Sequence, residues 1–309
     1  MVHKNLLFTL VSSLLVLASV STHGALTEVK NFGDNPGSLT AFASLTEEKK
    51  RPLVVLLHGC GQTAHFLAEN SGLLAAADTK QFNLLLPQQE KTNNPQLCFN
   101  WFSTADQLKG QGETLSIMNM VNTISTEQQA SDTYIVGLSA GGSMASSLMS
   151  QYPDNFKAGA IIAGIGYPCA DNLIKALSCM KNGFTDSVQS MAQKLITDKN
   201  NPGKWPNLIV ISGSSDAIVN PVNSDQLLQQ WQLLLNIKKA DSVDLGNENI
   251  KVKRAENSDS NQYVELITIE NMGHGWPVNS KAQFGGKPAP FVLDTSFSAS
   301  EYLVSRWDL

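Results

Sequence analysis

The chain has 309 residues, 42% of them hydrophobic and 16% charged, with a formal net charge of −5. That length can bury a sizeable core, and the acidic balance argues against a nucleic-acid partner. The basic runs Lys49-Lys50-Arg51 and Lys251 to Arg254 read as solvated faces.

Taken in chain order, residues 1–25 read as a secretory signal. Lys4 is followed by a mostly apolar stretch from Leu6 to Val20, then by small and polar residues ending near Ala25. Thr9, Ser12, Ser13 and Ser19 interrupt that stretch, and it is too short and too polar for a stable membrane span. Export to the periplasm or beyond is therefore expected. Residues 26–309 read as a single α/β domain. Leu53 to Leu57 is a buried strand that empties into His58-Gly59-Cys60-Gly61-Gln62. A helix is expected over 64–79, a strand over 83–87, a cysteine-bearing loop and a helix over 112–128. A strand at 133–138 runs into Gly137-Leu138-Ser139-Ala140-Gly141, and a helix leaves it. A strand over 157–163 precedes an insertion at about 164–206 with two helical stretches. A strand at 207–212 leads to Gly213-Ser214-Ser215-Asp216 and a helix over 223–236. Paired strands at 250–255 and 262–269 lead to His274, and a helix over 295–306 follows.

Strand, G-x-S-x-G and helix in that order form a nucleophile elbow, the mark of an α/β-hydrolase fold with a mostly parallel sheet and helices on both faces. Side chains two residues on either side of Ser139 would strike the neighbouring strand and helix, and Gly137 and Gly141 remove them. The fold requires Ser, then Asp or Glu, then His. Of the five histidines, His3 and His23 lie in the signal and His58 and His65 precede the serine. Only His274 has the right order. Asp216 is the best placed acid, since it turns off the carboxyl end of a buried strand, where open α/β sheets build their sites. The turn after Leu57 and the residue after the nucleophile supply the oxyanion donors in this fold, here the backbone N–H groups of Cys60 and Ala140. Trp101, Phe102, Tyr167 and Trp276 are candidate pocket walls, Trp276 above all because it lies two residues from the base. No dinucleotide fingerprint, P-loop, C-x-x-C or H-E-x-x-H spacing is present, so neither a cofactor nor a metal is expected. Four cysteines in an exported chain suggest two disulfides with three possible pairings, and proximity favours Cys169 with Cys179.

Several segments together resemble the poly(3-hydroxybutyrate) depolymerase-like esterases, relatives of the feruloyl and acetylxylan carbohydrate esterases. They are His58 to Gln62, Leu97-Cys98-Phe99-Asn100-Trp101-Phe102, and Gly110-Gln111-Gly112-Glu113 with Ser116-Ile117 and Met120-Val121. The elbow through Gly142 and Met272-Gly273-His274 complete the set. The resemblance runs from about residue 50 to about residue 280. It implies a Cys60–Cys98 disulfide and hydrolysis of short-chain hydroxyalkanoate-type esters or oligomers through an acyl-enzyme. A feruloyl or acetylxylan esterase is the alternative within that reaction class. A secreted binding protein on a dead hydrolase fold is the alternative outside it, disfavoured by the intact triad. The chain departs from the family's polymer depolymerases at Gly275-Trp276-Pro277-Val278. After His274, 35 residues remain (309 − 274), with no Thr-rich or Pro-rich linker. Soluble esters are therefore expected as substrates rather than crystalline polymer.

Overall fold

Apolar runs without alternation can bury both faces only inside a sheet that helices cover on both sides. That is the environment these runs find. The computed structural model describes residues 26–198, 204–257 and 259–309. The signal reading of 1–25 and part of the insertion, 199–203, lie outside the described residues. In chain order the elements are β1 (Thr27–Glu28), β2 (Thr40–Ser44), β3 (Leu53–Leu57), α1 (Ala64–Ser71), α2 (Leu73–Lys80), β4 (Asn83–Gln88), α3 (Thr104–Gln107), α4 (Gly112–Gln128), β5 (Thr133–Leu138), α5 (Ala140–Gln151), β6 (Ala158–Ile162), α6 (Leu173–Asn182), α7 (Val188–Asp198), β7 (Asn207–Gly213), α8 (Val222–Leu234), β8 (Asp241–Val243), β9 (Ile250–Asn257), β10 (Gln262–Ile269), β11 (Trp276–Val278), β12 (Val292–Asp294) and α9 (Ala299–Trp307).

Ten strands form one sheet in the order β1-β2-β4-β3-β5-β6-β7-β10-β9-β8. The central run from β4 to β10 is parallel, and the strands outside it are antiparallel. Alternate residues of each central strand feed two separate cores. Leu53, Val55 and Leu57 join Ile135, Ile161 and Val210 beneath side chains of α4, α5 and α8. Val54 and Leu56 join Val136, Ile162 and Ile211 beneath α1, α2 and α9. Each fully buried aliphatic side chain contributes about 1.5–3 kcal/mol, so these runs dominate the stability of the sheet. The fold is that of an α/β-hydrolase.

The helix expected over 64–79 is two helices. Gly72 ends the first with φ 86°, and a Cβ there would collide with the Phe284 carbonyl oxygen. The chain around 284–286 passes too close to allow a continuous helix with a side chain at that point. The last helix starts later than expected, at Ala299, because the Ser298 side chain caps it by accepting from Glu301 N–H. Strands β1, β2 and β8 and the small β11–β12 pair have no counterpart in the sequence reading.

Two disulfides close the loops. Cys60 is bonded to Cys98, and Cys169 to Cys179. The second staples the segment between β6 and β7, where α6 leaves Leu173, Ile174 and Leu177 exposed. Among the described residues no helix is long and apolar enough to cross a membrane.

Candidate active site

Five adjacent parallel strands, β3, β5, β6, β7 and β10, end on the same side of the sheet. Four of them deliver a candidate residue there: Cys60 after β3, Ser139 after β5, Asp216 after β7 and His274 after β10. Ser139 caps α5 with φ 55° and ψ −117°, a conformation side chains rarely adopt and one that costs about 1–3 kcal/mol. Its N–H donates to the Ile162 carbonyl at 2.8 Å, which ties the turn to β6. The flanking glycines leave no room for a side chain. A Cβ on Gly137 would overlap the Gly141 carbonyl, and one on Gly141 would lie against the Leu57 carbonyl and 2.5 Å from that of His58. The turn after β3 thus presses directly on the elbow.

Asp216 and His274 come together closely. His274 Nδ1 lies 2.7 Å from Asp216 Oδ2, and the two side chains are only 6% and 1% exposed. The other carboxyl oxygen, Oδ1, accepts from the N–H groups of Ile218 (2.9 Å) and Val219 (2.8 Å). A carboxyl held from three directions cannot swing, so it fixes the imidazole plane. This partner assigns the proton to Nδ1 and leaves Nε2 as the acceptor nitrogen. The two loops that carry the pair are sewn to each other. Ser214 N–H donates to Ile269 O, Ser215 N–H to Met272 O, and Asn271 N–H to Ser214 Oγ, all within 2.9 Å. Gly213 has no side chain because the Met272 carbonyl occupies that space.

The turn after β3 is built around His58, which is fully buried. Its Nδ1 lies 2.8 Å from the Gly59 carbonyl, and its Nε2 accepts from Gln89 N–H at 3.1 Å. Burial lowers its pKa to about 4, against the opposing effect of the Gly59 hydrogen bond, so the ring stays neutral. Gln62 completes the turn, its Oε1 accepting from Gly59 N–H at 3.0 Å. Among the described residues, the N–H groups of Cys60 and Ala140 have no backbone acceptor.

The candidate pocket aromatics part company. Trp276 is fully buried at the start of β11, within the core beneath α1 and α9, and turns no face to solvent. That corrects the expectation that it walls the pocket: pairing with Val292 in the β11–β12 ribbon seats the indole in the core instead. Tyr167 is 9% exposed and its hydroxyl accepts from Gln151 Nε2 at 2.6 Å. Trp101 is 8% exposed and meets Phe102 edge-on, with Phe102 itself half-buried. The aromatic beside His274 is Phe291, 44% exposed and edge-on to the imidazole ring with centroids 6.1 Å apart. Phe291 lies in a loop 17 residues after His274 (291 − 274); only the return of β12 alongside β11 brings it back, and nothing in the sequence signals that pairing.

A buried carboxyl went unread as a functional group. Glu113, at the first turn of α4, is fully buried and receives hydrogen bonds from Gln89, Asn93 and Asn100. Burial raises its pKa to about 8, with Asp106 acting in the same direction and the donors from Gln89, Asn100 and Asn93 acting against it.

The comparison with known proteins bears on this arrangement. A family model described as Esterase PHB depolymerase matches residues 40–249. The chain belongs to that family. Poly(3-hydroxyalkanoate) depolymerase C of Paucimonas lemoignei is 36% identical over 98% of this chain and 74% of its own length. Feruloyl esterase B of Thermothelomyces thermophilus is 29% identical over 74% of this chain and 81% of its own. Among solved structures, an acetyl xylan esterase from Aspergillus awamori superposes with a TM-score of 0.72 at 21% identity, covering 81% of this chain and 94% of that one. A poly(3-hydroxybutyrate) depolymerase from Bordetella parapertussis gives 0.51 at 13% identity, over 82% and 86%. These two similarities speak to the fold. The family match and the 36% identical relative make this member of the esterase PHB depolymerase family a hydrolase of carboxylic esters.

Proposed function

We propose that this esterase is exported and hydrolyses short-chain hydroxyalkanoate esters and their soluble oligomers by a two-step acyl transfer. The observation that carries the reading is the buried His274–Asp216 pair at 2.7 Å, on the same sheet edge as a serine in a strained elbow. Ser139 Oγ attacks the ester carbonyl while His274 Nε2 takes its proton. Asp216 keeps that nitrogen free and stabilises the imidazolium. The N–H groups of Cys60 and Ala140 receive the developing oxyanion. His274 then protonates the departing alcohol, and a water that it activates releases the acid from Ser139. The family match and the 36% identity to a poly(3-hydroxyalkanoate) depolymerase support the hydroxyalkanoate class. Two disulfides support an oxidising compartment.

A substrate panel tests the reading. Soluble 3-hydroxybutyrate oligomers should give the highest kcat/KM, ahead of methyl ferulate and acetylated xylan, and oligomers should outpace polymer granules. A preference for methyl ferulate or acetylated xylan by tenfold or more would move the enzyme to the carbohydrate esterases. Granule clearing as fast as oligomer hydrolysis would remove the restriction to soluble substrates. Failure of a fluorophosphonate probe to label Ser139 would remove the mechanism altogether.

A further inference from the structure

A trans peptide is planar, so its C=O and N–H point in opposite directions, and fixing one fixes the other. The peptide between Gly59 and Cys60 carries both groups of interest. Its carbonyl oxygen is held by His58 Nδ1 at 2.8 Å. Its N–H is the proposed donor to the oxyanion. Whatever holds His58 therefore aims that N–H.

His58 is held in turn by Gln89, whose backbone N–H donates to His58 Nε2. The Gln89 side chain is fully buried, and its two amide hydrogens have separate destinations. One goes to the Cys98 carbonyl at 2.9 Å and the other to Glu113 Oε1 at 2.6 Å. Glu113 Oε1 also accepts from Asn93 Nδ2 (3.0 Å) and Asn100 Nδ2 (2.8 Å), and Oε2 accepts from Asn100 N–H (2.8 Å). All four contacts bring an N–H to the carboxyl, so both of its oxygens are held as acceptors whatever its protonation state. The first turn of α4 adds the positive end of a helix dipole. A second route leads back to the same peptide. Asn100 and the Cys98 carbonyl anchor the loop whose cysteine is bonded to Cys60, and Gly61 N–H donates to Gln96 O at 2.8 Å.

We propose that Glu113 is the positioning residue of the oxyanion hole: through Gln89 and His58 on one side, and through Asn100 and the Cys98–Cys60 bridge on the other, it fixes the direction of the Cys60 N–H. It touches no reacting atom. The inference rests on the reading of Cys60 N–H as an oxyanion donor.

Glu113→Gln tests it. An amide keeps one acceptor oxygen and sets an NH2 group against at least one of the four N–H donors, so the hold loosens without a change in side-chain volume. Complete loss of one oxyanion donor lowers kcat by about 10²–10³-fold. A displaced donor should lower kcat per fluorophosphonate-titrated site by about 10- to 100-fold, with KM for p-nitrophenyl butyrate within about threefold. Titration removes the trivial outcome, because misfolding lowers the number of active sites and not the turnover of each. Glu113→Asp, which keeps a carboxyl group, should fall between wild type and Glu113→Gln, and it carries the test if the amide variant does not fold. Crystal structures of the phosphonyl adduct on Ser139 separate the inference from its premise. In the wild type, the phosphonyl oxygen should accept from Cys60 N–H and Ala140 N–H. In Glu113→Gln, the contact from Cys60 should lengthen or break. A wild-type oxygen turned away from Cys60 overturns the donor assignment and the inference with it. A wild-type oxygen on Cys60, with turnover per titrated site of the folded variants within twofold of wild type, overturns the inference alone.

Discussion

Two disulfide-closed segments occupy the end of the sheet that carries Ser139, Asp216 and His274, and they are built on opposite principles. The segment joined by Cys60–Cys98 packs its flanks with buried polar side chains: Gln62 and Gln89 within it, His58 just before it and Glu113 on α4 are all below 6% exposure. Polar groups taken out of water destabilise a fold unless each finds a partner, and here the partners are one another and the backbone of the turn. The segment joined by Cys169–Cys179 does the reverse, leaving Leu173, Ile174 and Leu177 in solvent at 57%, 82% and 52% exposure. Its surface charges pair with near neighbours, Lys175 with Asp171 and Lys194 with Asp186. The difference teaches where directional precision resides in this enzyme. Hydrogen bonds have angles and apolar contacts do not, so the polar segment can aim a backbone N–H. The apolar one can only offer area.

The largest expected effect sets the scale for both segments. Asp216→Asn should lower kcat by about 10⁴-fold, by analogy with other triads, while His274 keeps its position through the loop-to-loop hydrogen bonds. Steady-state turnover on p-nitrophenyl butyrate reads it. A loss below tenfold would transfer the acid's role to another carboxyl, and the polar segment would no longer be second in importance.

Removing each disulfide contrasts the segments directly. The sequence separations are 38 and 10, for which loop-closure entropy gives losses of about 4 and about 3 kcal/mol. Stability should therefore fall by similar amounts in Cys60→Ala/Cys98→Ala and in Cys169→Ala/Cys179→Ala, as read by urea unfolding. Turnover should not. Below the unfolding transition the first variant should lose at least tenfold in kcat, and the second should stay within about twofold. Equal losses of kcat would erase the distinction between aiming and covering.

Acid distinguishes the segments next. His58 has a folded pKa near 4 because burial keeps it neutral, against about 6.5 in an unfolded chain. Between those values the unfolded state binds the extra proton, so the stabilisation from neutral His58 is complete above pH 6.5. It is lost as the pH falls through 4, by about 3 kcal/mol at most. Wild-type stability to urea should decline over that window, and His58→Asn should flatten the decline. An unchanged slope in the variant would remove His58 as its source. The smallest effect belongs to the apolar helix. Ile174→Ser should change the unfolding free energy by less than about 0.5 kcal/mol, whereas Leu195→Ala, in the buried face of α7, should cost about 2–5 kcal/mol.

What the sequence disclosed follows the same division. Buried parallel strands have no alternation to misread, so Leu53–Leu57, Thr133–Leu138 and Asn207–Gly213 stand in the structure within a residue of their expected bounds. The candidates Ser139 and His274 were singled out by local signals, the elbow glycines and the chain order, and Asp216 by the strand that ends just before it. Contacts that depend on distant backbone were not. Gly72 breaks a helix on account of residue 284, Trp276 is drawn inside by its pairing with Val292, and Phe291 reaches His274 by the same return. Glu113 stood in a recognisable motif, yet its role depends on four donors spread from residue 89 to residue 100.

One strand in the middle of the site supplies no candidate residue, and that has a mechanical consequence. β6 separates β5, which leads to Ser139, from β7, which leads to Asp216. Neighbouring strands lie about 4.8 Å apart, so β6 acts as a spacer gauge whose width sets how far Ser139 stands from the loop of Asp216. The gauge is made of small residues where α5 rides over it: a Cβ on Gly159 would overlap Met149 Sδ and come within 3.0 Å of an Ile135 methyl. Asp216 and His274, on loops sewn to each other, behave as one jaw of a calliper, and Ser139 at the head of α5 is the other. Heat or pressure that loosens this enzyme would therefore change the gap of the calliper before it bends either jaw.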